Sequence, residues 1–139
     1  MDPSQIALLR RTHTHILPGA AAFGAGFYRH LFAQDPALRK FFPDDIDVQA
    51  QKLMDMIQAL LARLDQPETL AALCVDLGLR HRAYGTDETH YDLVGIALLR
   101  ALRDTLGADY TEAVEAAWAG VYGEMAEAMI AAQQCPASK

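Results

Sequence analysis

Two nitrogen-bearing side chains stand where apolar residues would be expected. His81 follows Leu77 by four residues and Cys74 by seven, so its imidazole falls on the apolar face of a helical segment, where a polar ring needs a partner. Gln49 repeats the oddity on a stripe that also holds Leu53, Ile57 and Leu60. An inward histidine is commonly a core residue bonded to a carbonyl, and the sharper reading is a metal ligand. Tetrahedral zinc wants roughly three or four His, Cys or carboxylate ligands, whereas these faces offer His81 and the thiol of Cys74. A single imidazole suffices where a cofactor brings the other ligands, as a porphyrin does with its ring nitrogens. The chemistry to which the pair points is haem ligation.

The elements that must position these residues are helices. No window alternates β-branched and polar residues, while 3.6-residue periodicity recurs from end to end. Asp2-Pro3 opens the first helix, with His13 on its apolar face beside Ile6, Leu9 and Ile16, until Pro18-Gly19. A second helix is expected over about 20–33, and a short third over 38–42, introduced by Asp35-Pro36 and stopped by Pro43. The fourth carries Ile46, Gln49, Leu53, Ile57, Leu60 and Leu64, and ends at Asp65-Gln66-Pro67. The fifth aligns Leu70, Leu73, Cys74, Leu77 and His81, and dissolves in Tyr84-Gly85-Thr86. The sixth spans about 88–106 before Gly107, and the last begins at Asp109, with Glu112 completing a capping box. Short connections predict an all-α stack of six or seven helices in one domain, residues 1–139, with Cys135–Lys139 a frayed tail.

Composition narrows the function. Twelve basic residues stand against 18 acidic, a net charge of −6, so no basic surface draws the chain to nucleic acid. No apolar run is long enough to span a membrane. Cys74 and Cys135 form neither a disulfide framework nor a zinc or C-x-x-C-H spacing, which points to a cytoplasmic protein and a non-covalently held cofactor. The uncharged stretch Ile16–Phe27 after Arg10-Arg11 contains Pro18, Gly19, Gly24 and Gly26, and is not read as an export signal.

Five segments together carry a resemblance. They are Phe27-Tyr28-Arg29-His30-Leu31-Phe32, Leu38-Arg39-Lys40-Phe41-Phe42-Pro43, Gln49-Ala50-Gln51-Lys52-Leu53-Met54, Leu77-Gly78-Leu79-Arg80-His81-Arg82-Ala83-Tyr84-Gly85 with His90-Tyr91-Asp92-Leu93-Val94-Gly95, and Ala117-Trp118-Ala119-Gly120-Val121-Tyr122-Gly123. In this order and spacing the chain resembles the single-domain bacterial globins, closest to neuroglobin-like and flavohaemoglobin-type members. The resemblance implies a globin fold, a three-over-three helical sandwich enclosing haem b between the fourth and fifth helices.

Residue by residue, it implies His81 as the proximal iron ligand and Tyr28, Gln49 and Leu53 as the distal, ligand-stabilising side chains. It implies Phe42 on the porphyrin, with Phe41 as the alternative, and Lys52 at a propionate. Leu77, Tyr91 and Val94 complete the haem-binding set, and Gly24 is the small residue at the crossing of the second and fourth helices. Arg80 and Arg82 are read as solvent-facing, and His13, His15, His30 and His90 as surface or boundary residues. The matching position of a glutamate in flavohaemoglobin-type globins is Gln133, and without that carboxylate the imidazole is less electron-rich, which weakens peroxidase-like chemistry.

The function so implied is reversible binding of O2, with NO and CO as further gaseous ligands, at high affinity for storage or scavenging. Two hydrogen bonds of about 1 to 1.5 kcal/mol each slow ligand release by about a hundredfold. A nitric-oxide dioxygenase is the alternative. With no G-x-G-x-x-G and no flavin segment in the sequence, it would need an external reductase. A gas sensor is less favoured, and a cofactor-free helical interaction protein leaves the inward His–Gln pair without a role.

Overall fold

A computed structural model describes residues 2–83 and 88–134, without the side chains of Arg82 and Ala83. The Tyr84-Gly85-Thr86 ending expected for the fifth helix, the tail Cys135–Lys139 and the direction of Arg82 lie outside the described residues. Six α-helices follow one another: α1 Pro3–Ile16, α2 Ala20–Gln34, α3 Ile46–Ala62, α4 Pro67–Ala83, α5 Glu88–Leu106 and α6 Glu112–Gln134. Three short 3₁₀ turns, Leu17–Gly19, Pro36–Phe41 and Gly107–Asp109, join them. No strand occurs among the described residues, and no described helix is long and apolar enough to cross a membrane.

Local chemistry sets the boundaries. Asp2 and Gln5 exchange side chain-to-backbone hydrogen bonds of 2.9 and 3.2 Å, closing the donors at the start of α1, while Pro3 takes a first-turn position that has no use for an N–H. Asp45 caps α3 by accepting from the backbone N–H groups of Asp47 and Val48. The segment after Asp35 is a 3₁₀ helix over Pro36–Phe41, one residue short of the expected end, with Phe42 extended. The last helix begins later than its capping-box pattern suggested: Asp109 lies in a 3₁₀ turn, and the hydroxyl of Thr111 accepts from Val114 N–H at 3.2 Å. Gly107, at φ +55°, supplies the left-handed step that a side chain would disfavour, and the chain leaves α5 there before α6 can start.

Packing ties α2 to α5 and α3, α4 to α6, and lays α1 across α6 and α5. The closest crossings are made where a Cβ is missing. A methyl group on Gly24 of α2 would stand 2.5 Å from the Ala50 Cβ of α3, and one on Gly78 of α4 would stand 2.5 Å from the Met129 carbonyl oxygen of α6. In the core, Trp118 donates from Nε1 to the Thr12 hydroxyl at 2.9 Å, and Thr12 donates in turn to the Leu8 carbonyl at 2.9 Å. The indole is thereby buried without an orphaned N–H, a loss that would cost about 1–3 kcal/mol.

One of the histidines read as surface or boundary residues behaves differently. His13 is buried with Ile16 and Leu9, and burial pulls its pKa below the usual imidazole value. A 3.6-residue repeat places it inward, and helix α1 is covered by α6 and α5 along that face. His30 pairs with Asp104 of α5 at 2.6 Å, because α2 and α5 lie against each other.

Candidate functional site

On α4, Leu77 and His81 are one turn apart on the inward face. The Leu77 carbonyl lies 2.7 Å from His81 Nδ1. A carbonyl only accepts, so in the neutral ring Nδ1 carries the hydrogen and the lone pair falls on Nε2. A backbone oxygen one turn back thus sets both the tautomer and the rotation of the imidazole, as a second-shell acceptor does for a metal-binding histidine.

Tyr91 enters from α5 with its ring centroid 6.3 Å from that of His81. Its hydroxyl donates to the amide oxygen of Gln133 on α6, and burial pushes the phenol up to about 12. Tyr122 holds the same tyrosine from behind, donating to the Tyr91 carbonyl at 2.6 Å. Its ring fills the space left by Gly95, where a Cβ would come within 2.9 Å of it. Burial raises the pKa of Tyr122 as well. Three of the groups around His81 are thus neutral: a carbonyl, a phenol and, beyond the phenol, an amide.

Beside His81 the structure encloses a cavity of about 160 Å³ with almost wholly apolar walls. Phe27 and Leu53 close it on the α2–α3 side, Leu77 and His81 on α4, and Val94 on α5. It is also lined by side chains that the sequence reading did not assign to the site, among them Met56, Met125 and Met129. Met125 and Met129 are four residues apart, on the stripe that also bears Tyr122, and that spacing is the signal that could have placed them. Although α3 and α4 are consecutive, they pack only marginally on one another; each leans instead on a different neighbour, α2 or α6. The crevice between them is thus a consequence of how the two pairs are joined.

A second group adjoins the cavity through Phe27. The Tyr28 ring stands edge-on to Phe27 at 4.9 Å and to Phe42 at 5.3 Å, and is itself buried. Burial raises the phenol pKa, and the Gln49 side chain, beside its hydroxyl, draws it partly back. Phe42 packs on Phe32 as well as on Tyr28, whereas Phe41 is exposed and faces the His90 ring at 5.6 Å.

Of the residues singled out from the sequence, Leu53, Leu77, His81, Tyr91 and Val94 line one cavity. Tyr28, Gln49 and Phe42 form the adjoining cluster, and Lys52 is exposed, in neither group. Arg80 turns outward to Asp76, 3.0 Å away on the same helix. Gly78, one turn before His81, escaped the sequence reading because a helical glycine is not a signal until its neighbour across the crossing is known.

The donor set has a definite limit. Among the described residues no three His, Cys, Asp or Glu side chains gather as they would to hold a bare ion. One oriented imidazole over an apolar cavity fits a planar group that brings its own in-plane ligands, and haem has that chemistry.

Comparison with known proteins agrees with this geometry. The globin family model matches residues 25–129. A flavohemoprotein of Rhizobium meliloti is 31% identical over 73% of this chain and 26% of its own length. One of Burkholderia sp. is 30% identical over 92% of this chain and 34% of its own. The chain thus spans about a third or less of these curated relatives. In fold it is similar to a structure described as a hexacoordinated heme protein from an anhydrobiotic tardigrade, with a TM-score of 0.87 at 15% identity, covering 97% of this chain and 96% of that one.

Proposed function

This chain belongs to the globin family, with an all-α, three-over-three fold, and from that premise we propose that it holds haem b and binds O2 reversibly, for storage or scavenging. When bound, haem supplies a redox-active iron with a coordination position for a diatomic gas. The observation that carries the reading is the hydrogen bond between His81 Nδ1 and the Leu77 carbonyl, which puts the imidazole lone pair on Nε2 beside the apolar cavity.

The chain's own residues divide the remaining work. His81 holds the iron on the proximal side, and Leu77 and Val94 exclude water around it. On the distal side, Leu53 limits the space, while Tyr28 and Gln49 offer hydrogen-bond donors to a polarised ligand. Phe42, held by Tyr28 and Phe32, provides a rigid aromatic surface for the macrocycle. Lys52, exposed on α3, is suited to a propionate at the crevice mouth. Because burial keeps the Tyr28 phenol protonated above its ordinary range, it stays a donor at physiological pH.

Tyr91 hands its hydrogen to a neutral amide at Gln133. With an amide rather than a carboxylate in that position, the tyrosine lends the imidazole less anionic character, and binding is favoured over oxygen–oxygen cleavage. A second reading, oxidation of NO to nitrate with bound O2, is supported by the flavohemoprotein relatives and the Tyr28–Gln49 donor pair. It requires an electron for each turnover, delivered by a reductase.

Hemin titration of the purified protein, followed by spectra of the reduced and CO-bound forms, tests the proposal. One hemin per chain is expected, with His81→Ala lowering hemin affinity by more than the roughly 10–100-fold typical of losing a second-shell partner. Refusal of hemin, or uptake that His81→Ala leaves unchanged, would overturn it. Steady NO consumption under continuous re-reduction would favour the dioxygenase reading, and a single turnover the binding reading.

A further inference from the structure

The outer face of α5 and α6 is left bare by the fold. The two helices run antiparallel, tied at one end by the 2.7 Å bond from Gln134 to Glu88, and between them lies an open groove of about 740 Å³. Its floor is apolar and small: Gly95 and Leu99 from α5, Ala119 and Gly123 from α6. A Cβ added to Gly123 would meet nothing within 4 Å, so no part of the described chain covers it. Along the α5 edge Ile96 is 42% exposed, a β-branched side chain held in water beside an apolar trough.

Along the α5 edge of this face charge is divided by sign. Asp92, with Glu88 and Glu127 near it, lines the groove at one end of α5; beyond Leu99 comes Arg103, and both Asp92 and Arg103 are exposed. Spacings of four, three and four residues put Asp92, Ile96, Leu99 and Arg103 within a sector of about 60° on the helix. The order is acid, apolar, apolar, base. A pattern of that kind is complementary to itself when reversed.

We propose that the α5–α6 face is the interface of a two-fold symmetric homodimer, in which α5 lies antiparallel to α5 of a second copy. An axis passing between Ile96 and Leu99 sets Ile96 against Leu99 of the second copy and Asp92 against its Arg103. The same axis repeats both contacts with the chains exchanged, as an isologous interface requires. A partner bearing one sign of charge would match only one end of the face; an antiparallel copy matches both. The small residues of α6 let the second copy approach closely enough to cover Ile96 and Leu99, whose burial supplies the affinity, while the paired charges set the register.

Sedimentation velocity on the protein as purified, from about 1 to about 100 μM, reads this directly in the affinity range of transient dimers. A dimer is expected. Asp92→Arg and Arg103→Asp should each weaken it by about tenfold or more, since each sets two like-charged pairs across the axis. An equimolar mixture of the two variants should regain the dimer, as should the double variant, because both arrangements restore opposite charges; the regain also shows that the single variants fold. A wild-type monomer at the top of the range, a dimer that neither single variant weakens, or a mixture that stays monomeric would each overturn the proposal. The readout is mass, so its outcome is separate from that of the haem reading.

Discussion

The two walls of the crevice are built alike and finished differently. In one, α2 crosses α3 at Gly24; in the other, α4 crosses α6 at Gly78, and a Cβ at either glycine would stand 2.5 Å from an atom of the facing helix. At Gly24 the obstructing atom is the Cβ of Ala50, a side-chain atom that mutation can remove. At Gly78 it is the Met129 carbonyl oxygen, part of the helix itself. The functional groups divide in the same way. The α2–α3 wall carries Tyr28 and Gln49, two side chains close enough for one to lower the pKa of the other, whereas His81 on the α4–α6 wall is set by a backbone carbonyl and backed by a tyrosine–amide pair. The α2–α3 wall is therefore open to tuning by substitution, and the α4–α6 wall is fixed largely by the main chain.

The largest expected effect tests the tunable wall. Stopped-flow measurement of O2 release from the reduced, haem-loaded protein should show about tenfold acceleration in Tyr28→Phe and in Gln49→Leu, and about a hundredfold in the double variant if each bond contributes 1 to 1.5 kcal/mol. Since burial raises the Tyr28 phenol above its ordinary value, these rates should stay level through neutral and mildly alkaline pH. Unchanged rates in both single variants would remove the pair from the distal role.

Next come the crossings. Gly24→Ala and Gly78→Ala should each destabilise by about 1–3 kcal/mol through overpacking, visible as a drop of roughly 4 °C in Tm per kcal/mol. The contrast lies in the rescue. Ala50→Gly should recover most of the loss in Gly24→Ala, because it removes the colliding Cβ. Ala132→Gly should recover little in Gly78→Ala, because the Met129 carbonyl remains. Equal rescue at both sites would break the comparison.

The smallest effect is electronic. Gln133→Glu puts a carboxylate where Tyr91 now donates to an amide, and the iron–histidine vibration of the reduced protein should rise by a few per cent, with hemin affinity changed by less than about tenfold. A vibration that does not move would show that the tyrosine leaves the imidazole electronically untouched.

Much of this arrangement is local and so was legible in the order of residues. Helix α1 is announced by Asp2-Pro3, and the structure closes its first turn with a reciprocal pair of bonds between Asp2 and Gln5. The inward position of His81 follows from its spacing to Leu77 and Cys74, because the helical repeat acts over one or two turns and needs no partner to be defined. The beginning of α6 was misplaced for a related reason: Asp109 and Thr111 both satisfy the local rule, and the positive φ at Gly107, which turns the chain after α5, decides in favour of Thr111.

What the sequence alone determined is the set of helices, their inward faces and the kinds of atom that those faces carry. Tertiary structure decided which faces meet. It drew Tyr28 to Gln49 across α2 and α3 and set Tyr91 against Gln133 across α5 and α6. It also brought the main chain of α6 up to Gly78 while leaving Gly123 open. Periodicity specifies direction around one axis; the distance between two axes depends on the volumes of the side chains caught between them, and those belong to residues far apart in the chain.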